Sequence, residues 1–308
     1  MTGGAGFLGS HLCERLLDRG SEVLCLDNFA TGSLENVAHL QGREGFKLVD
    51  HDINLPYSPP LQPTAVMHLA SPASPPAYLA LPIETLKVGS IGTMHALDIA
   101  LEHDAIFFMA STSEVYGDPE VNPQPESYRG SVSTTGPRGV YDEAKRFSEA
   151  LTMAYHRAHD VDTRIVRIFN TYGPRLSPGD GRVVSNFISQ ALSEKPITVY
   201  GDGSQTRSLC YVDDLIRGFL LLMESDQHEP MNLGNPHELS MFELAELVVK
   251  MVDTESRIVF ELLPEDDPRV RCPDITKAKS ALGWEPEVPL EEGLERTIDW
   301  FRRRLGAI

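Results

Sequence analysis

The chain has 308 residues, enough for one large domain or two small ones, and carries 45 acidic against 27 basic side chains for a formal charge of −18. That balance argues against a nucleic-acid partner, which needs a basic stripe to meet phosphates, while an apolar content of 41% is ample for a packed core. No apolar run reaches the roughly twenty residues of a membrane span, and Met1-Thr-Gly-Gly-Ala-Gly6 has neither the charged nor the apolar part of a secretory signal.

Taken in chain order, amphipathic runs predict helices and short apolar runs predict strands. Residues 9–19 read as a helix, 22–27, 46–52 and 65–70 as strands, 82–102 as a helix, 105–112 as a strand, 137–159 as a helix and 163–169 as a strand. Pro/Ser-rich loops are expected over 56–63 and 71–76. The alternation predicts an α/β fold, a Rossmann-type doubly wound parallel sheet. Beyond residue 170 the pattern loosens into a Gly/Pro loop over 171–182, helices over 183–193, 213–224, 241–252, 275–282 and 290–304, and strands over 197–200, 231–233 and 257–262. The expected division is a sheet domain over 1–170 and a smaller lobe over 171–308, with segments returning to the main sheet. Cys13, Cys25, Cys210 and Cys272 show no C-x-x-C pair and no metal-ligand spacing. They imply a cytoplasmic protein with reduced thiols, no metal and no membrane partner.

Gly3, Gly6 and Gly9 space as G-x-x-G-x-x-G immediately before the first helix. Glycines let a backbone turn tightly and approach a pyrophosphate, which then sits on the helix N-terminus. Roughly twenty residues on, Asp27 ends the run Val-Leu-Cys-Leu-Asp, where an acid would bond an adenosine 2′-hydroxyl and repel a 2′-phosphate, so NAD is favoured over NADP. A glycine triplet alone could be an ordinary turn; Asp27 at this distance tips the balance toward a dinucleotide. A strand should feed such a loop, yet only Met1 and Thr2 precede Gly3. The first strand is therefore expected to be missing from the middle of the sheet, through a clipped or misassigned start, leaving two strand edges exposed.

Tyr141-Asp-Glu-Ala-Lys145 puts a phenol and an ammonium one helical turn apart on one face. A nearby cation lowers a phenol from its ordinary pKa of about 10, so Tyr141 is expected to act as a general base near neutrality. Thr112 and Ser113 close the strand over 105–112, where a hydroxyl could bond the same substrate oxygen. The pair by itself would suit a helix surface; the glycine loop upstream and the hydroxyl-bearing strand end between them favour catalysis.

Six segments in order then carry a resemblance: His68-Leu-Ala-Ser-Pro-Ala-Ser-Pro-Pro76, Thr112-Ser-Glu-Val-Tyr-Gly-Asp-Pro119, Ile168-Phe-Asn-Thr-Tyr-Gly-Pro-Arg175, Asp180-Gly-Arg-Val-Val-Ser-Asn-Phe187, Gly203-Ser-Gln-Thr-Arg207 and Asn232-Leu-Gly-Asn235. With these pieces the chain resembles the extended short-chain dehydrogenase/reductase family of nucleotide-sugar enzymes, over essentially its whole length apart from the missing strand. The resemblance implies NAD in the first domain and UDP-glucuronate as the small-molecule substrate of the second. C4 of the sugar would be oxidised, the resulting β-keto acid would lose CO₂, and C4 would be reduced again to give UDP-xylose with no net redox change. It also implies a homodimer, paired through the helices over 82–102 and 141–159. The alternatives are a 4,6-dehydratase, a 4-epimerase, or a non-catalytic nucleotide-sugar-binding scaffold; the full set of Thr112, Tyr141 and Lys145 speaks against the last.

The same resemblance implies roles residue by residue. Tyr141 takes the 4-hydroxyl proton, Thr112 bonds the reacting oxygen and Lys145 holds the nicotinamide ribose and depresses the phenol. Ser113 stands where dehydratases carry an aspartate, leaving room for the substrate carboxylate, and Glu114 assists near C5; it could otherwise be a solvent-facing helix-entry glutamate. Arg271 matches the arginine that reaches the substrate carboxylate, the alternative being an offset to Glu265, Asp266 and Asp267. Arg207 suits the substrate diphosphate, the alternative being an ion pair with Asp202 or Asp213. Gly3, Gly6, Phe7 and Leu8 would line the pyrophosphate turn, Asp27, Asn28, Phe29, Thr31 and Gly32 the adenosine ribose, and Asp52 with Ile53 the adenine. Leu69, Ala70 and Ser71 would flank the nicotinamide, and Thr171 and Arg182 would close over the cofactor. Lys87, Asn170 and Tyr211 would meet the sugar or nucleotide, although Lys87-Val-Gly-Ser90 departs from the family's Lys-Thr-Asn-Thr. His68 is expected to be a packed structural histidine.

Overall fold

A computed structural model describes residues 1–262 and 270–306. The first part of the chain alternates strand and helix: α1 (Phe7–Asp18), β1 (Val23–Asp27), α2 (Leu34–Val37), β2 (Phe46–Asp50), β3 (Ala65–His68), α3 (Pro75–Ala80), α4 (Pro82–Lys87), a π-turn over Val88–Gly92, α5 (Thr93–Glu102), β4 (Ile106–Thr112), α6 (Gly139–His159) and β5 (Thr163–Ile168). Shorter elements follow: β6 (Thr171–Tyr172), α7 (Val183–Leu192), β7 (Ile197–Tyr200), β8 (Thr206–Ser208), β9 (Cys210–Tyr211), α8 (Val212–Met223), β10 (Met231–Leu233), β11 (Glu238–Ser240), α9 (Met241–Val252), β12 (Ile258–Glu261), α10 (Thr276–Leu282) and α11 (Leu290–Leu305). Among the described residues no helix is long and apolar enough to cross a membrane.

The strands β10-β5-β4-β3 run parallel in that order, and β1 and β2 form a second parallel pair. Met1–Gly3 joins the two. Leu26 N–H donates to Met1 O at 2.8 Å and Gly3 N–H to Leu26 O at 2.8 Å, while Thr2 N–H donates to Met67 O at 2.9 Å and Leu69 N–H to Thr2 O at 3.0 Å. This corrects the expectation of two bare edges: the carboxyl ends of β1 and β3 are bridged, and it is these ends that support the glycine turn. The combined order reverses direction at Met1–Gly3, the switch point beside which open α/β sheets bind ligands.

The sheet is covered on both faces, as parallel sheets must be. Strand alternation divides the core: on β4, Phe108 packs toward Phe219 of α8, whereas Phe107 and Met109 join Leu97 of α5 on the opposite side. Val166 and Ile165 of β5 separate in the same way. The helix expected over 82–102 is interrupted by the π-turn, which comes so close to α6 that a Cβ on Gly89 would lie 2.6 Å from Ala144 Cβ. The loop expected over 71–76 ends in the short helix α3, with Pro75 and Pro76 in its first turn.

Candidate active site

The glycines are held where side chains cannot go. Gly3 has φ +72°, and a Cβ there would lie 2.6 Å from Ala70 N; one on Gly9 would lie 2.2 Å from Gly3 O. Helix α1 starts at Phe7, two residues earlier than the pattern suggested, so Gly6 is its N-cap and Phe7 and Leu8 fall in its first turn. Asp27, at the end of β1, accepts hydrogen bonds from Ala5 N–H at 2.8 Å and Phe29 N–H at 2.9 Å. Burial pushes its carboxyl above the ordinary value, against the pull of these two bonds. A backbone turn that a Cβ would fill, a helix start and a buried acid at the strand end fit a dinucleotide with a free ribose 2′-hydroxyl.

A cleft of about 970 Å³ runs from this turn past Asn28, Thr31, Gly32, Asp52 and Ile53 to Leu69, Ala70 and Ser71, and on to Thr112, Ser113, Glu114, Tyr141, Lys145, Asn170, Thr171, Arg182, Arg207 and Arg271. Three expected residues stand away from it. Phe29 uses its N–H on Asp27 and packs its ring against the cluster of Val23, Val37 and Leu40. Lys87 is exposed at the end of α4, where Thr85 and, in the π-turn that follows, Val88 face inward instead. Tyr211 is buried edge-on against Tyr172, at 5.6 Å between ring centroids, with the Arg296 guanidinium over its ring.

At the strand end β4, Glu114 accepts a hydrogen bond from Arg138 Nη2 at 2.7 Å and another from Arg271 Nη1. Burial pushes the Glu114 carboxyl up, but the two guanidiniums outweigh it and hold it at about 2. Glu114 is thus an ion clamped between cations and not a solvent-facing glutamate. Arg271 also donates to Gly117 O at 3.2 Å. Glu265, Asp266 and Asp267 lie outside the described residues. Among the described residues the two aspartates offered as alternatives for Arg207 are engaged elsewhere: Asp202 accepts from Ser204, and Asp213 faces Arg15 and Arg296. Arg207 donates to Thr206 O at 2.9 Å within the cleft.

Tyr141 departs from expectation. Burial raises its phenol above the ordinary value; the Thr112 hydroxyl and Arg182 pull it partly back, while Glu114 and Asp142 push it further up. Lys145 Nζ sits 6.0 Å from the ring centroid and donates to Ala110 O at 2.9 Å, and burial outweighs its pull on the phenol. The ammonium is itself drawn down to about 8 by burial, with Glu149 resisting. Arg182 is held by both oxygens of Asp180.

Three residues escaped the sequence. Tyr78 of α3 stacks on Tyr141, centroids 5.2 Å apart and rings 5° from parallel; it lies just past a stretch that looked like plain loop. Arg138 could have been found by asking which nearby cation opposes Glu114. Asp142 is buried, and its Oδ1 has no hydrogen-bond partner among the described residues. Burial and Glu114 push its carboxyl up to about 7.

Known proteins align with this arrangement. A UDP-glucuronic acid decarboxylase 1 from Xenopus tropicalis is 52% identical over 99% of this chain and 72% of its own length. One from Arabidopsis thaliana is 50% identical over 99% and 70%. The crystal structure of UDP-glucose 4-epimerase from Thermotoga maritima with UDP-glucose superposes with a TM-score of 0.89 at 31% identity, over 99% of this chain and 98% of that one. The model of the NAD dependent epimerase/dehydratase family matches residues 1–234, and the chain belongs to that family.

Proposed function

We propose that the protein converts UDP-glucuronate to UDP-xylose and CO₂ in this cleft, with NAD recycled. The observation that carries this is the pair of guanidiniums, Arg271 and Arg138, brought to Glu114 beside Tyr141 on the cleft wall, which places cationic hydrogen-bond donors where the acid group of the sugar would lie. Ser113, small and uncharged, leaves that group room.

Residues of the glycine turn and Asp27 would hold the dinucleotide, and Lys145 would hold its nicotinamide ribose. NAD, when bound, supplies the acceptor of the C4 hydride and later its donor. Tyr141 Oη, once ionised against the burial that holds its phenol up, takes the 4-hydroxyl proton, with Thr112 sharing the oxygen. The resulting ketone stands β to the carboxylate, so loss of CO₂ sends the C–C electron pair into the carbonyl. Tyr141 and Thr112 then hydrogen-bond the enolate oxygen. Glu114, ionised across the neutral range, fixes Arg271 and does not give up a proton. Arg207 binds the diphosphate.

Incubation with UDP-glucuronate, with and without added NAD, tests the proposal. UDP-xylose and CO₂ without net NADH are expected; UDP-galacturonate would make the protein a 4-epimerase, and binding without turnover a scaffold. We assign residues 1–170 to the cofactor and 171–308 mainly to the substrate, with β10 returning to the sheet. The four unpaired, buried thiols support a cytoplasmic setting. A homodimer is supported by Ile83 of α4, Ile91 and Met94 beyond it, and Phe147 of α6, all apolar and exposed. Sedimentation at the dimer mass, falling to the monomer mass in Phe147→Glu, checks it.

A further inference from the structure

Behind Lys145 lies a second buried charge that the chemistry above leaves unused. Glu149 sits one turn further along α6, and consecutive residues of β4 hold the two side chains. Ala110 O accepts from Lys145 Nζ at 2.9 Å, and Ser111 Oγ donates to Glu149 Oε1 at 2.5 Å. Arg167 of β5 grips the same carboxylate with two bonds, Nε to Oε1 at 2.9 Å and Nη2 to Oε2 at 2.7 Å. Its remaining nitrogen is spent on Tyr116 Oη and Glu126 O, both at 3.0 Å, with the guanidinium over the Tyr116 ring. The carboxylate therefore has one fixed position.

We infer that Glu149, clamped by Arg167, is a positioning residue that keeps Lys145 an ammonium at the cofactor. Helix stability does not account for it, since Lys before Glu is the weaker order for an i,i+4 pair. Net stability does not either, because buried ion pairs roughly break even. Among the described residues the other groups near Lys145 offer no countercharge. His68 of β3 is uncharged, pushed by burial and by Lys145 itself down to about 3, and it hydrogen-bonds Thr2 and Thr93. Before substrate binds, burial holds Tyr141 on α6 as the neutral phenol, and among the described residues the π-turn and α5 present Thr93 and the carbonyls that Ser148 and Thr93 satisfy. Arg167 is a second cation. Glu149 is the group whose charge opposes the cost of burying Lys145, which draws the ammonium to about 8.

The inference rests on the proposed function only in giving Lys145 a cofactor to hold, and the two are separable. Lysine-labelled protein followed by heteronuclear NMR, with the Lys145 signal identified by its loss in Lys145→Arg, yields the titration midpoint directly. Glu149→Gln is expected to lower that midpoint by about one pH unit or more. Arg167→Gln is expected to raise it, and the double variant to return it close to the wild-type value. A packing role would move both single variants the same way. An unmoved midpoint in Glu149→Gln, or equal signs in the two single variants, overturns the inference. Should Glu149→Gln fail to fold, the sign in Arg167→Gln decides. NAD affinity measured over the same pH range should weaken as the ammonium is lost. If the midpoint moves and the affinity does not follow, the cofactor role of Lys145 fails while the action of Glu149 on it stands.

Discussion

The two ends of the cleft are built on different scales. At the cofactor end the turn is largely local, with Ala5 bonded to Asp27 across 22 positions and Gly9 packed on Gly3, and it is seated on Ala70. At the substrate end Glu114 meets Arg138 across 24 positions and Arg271 across 157. The near end is constrained by backbone shape, which only glycine satisfies at φ +72° against Ala70. The far end is constrained by charge at a point in space, which an arginine from many places in the chain could supply. Shape therefore dictates residue type and spacing, whereas charge dictates only what arrives after folding.

Substitution at each end tests that division. Gly3→Ala places a Cβ 2.6 Å from a backbone nitrogen that cannot step aside, in a conformation that costs an alanine about 1 kcal/mol before any clash. With an added strain of about 1–3 kcal/mol of the kind overpacking brings, NAD affinity is expected to fall about 30- to 10³-fold. Calorimetry with NAD checks it, and retained affinity would put the glycine end on the same tolerant footing as the charged end. Arg271→Lys keeps the charge but loses the planar fork that serves Glu114 and Gly117 O together. Turnover is expected to drop about 10²-fold with NAD affinity unchanged. A parallel loss of NAD affinity would join the two ends into one unit.

The same distinction explains what could be read from the chain. The main strands and α1, α6, α8, α9 and α11 follow from periodicity, and the glycine turn, Asp27 and the Tyr141/Lys145 pair follow from spacing. The three-residue strands β8 and β11 pair across some thirty positions and carry too few residues for a period to register. Helix α3 hid in prolines, which tolerate a first helical turn as readily as a loop. Lys87 and Tyr211 were placed by likeness alone, and packing turned both away from the cleft. The partners of Glu114 and the burial of Tyr141 depend on tertiary placement, so the sign of the phenol's shift could not be taken from the distance to Lys145 along a helix.

The smallest expected effect tests how dry the charged end is. Asp142 has a folded value of about 7 against an ordinary 3.8, so between those pH values the folded chain holds a proton that the unfolded chain has lost. The stability it contributes is full below its ordinary value and is lost as pH rises through about 7. Glu114 runs the other way: held at about 2, it contributes above its ordinary value of 4.5 and loses that as pH falls. Of this pair only Asp142 therefore makes stability slope downward toward neutrality. At about 1.4 kcal/mol per unit the limit is about 4 kcal/mol, and screening by the polar surroundings brings it nearer 2 kcal/mol. Asp142→Asn removes the slope without taking a partner from Oδ1. Urea unfolding should find the variant more stable than the parent at pH 8, by an amount that shrinks toward pH 4. A gap that stays constant with pH would mean that water reaches Asp142, and that the two arginines holding Glu114 as an ion have little burial to overcome.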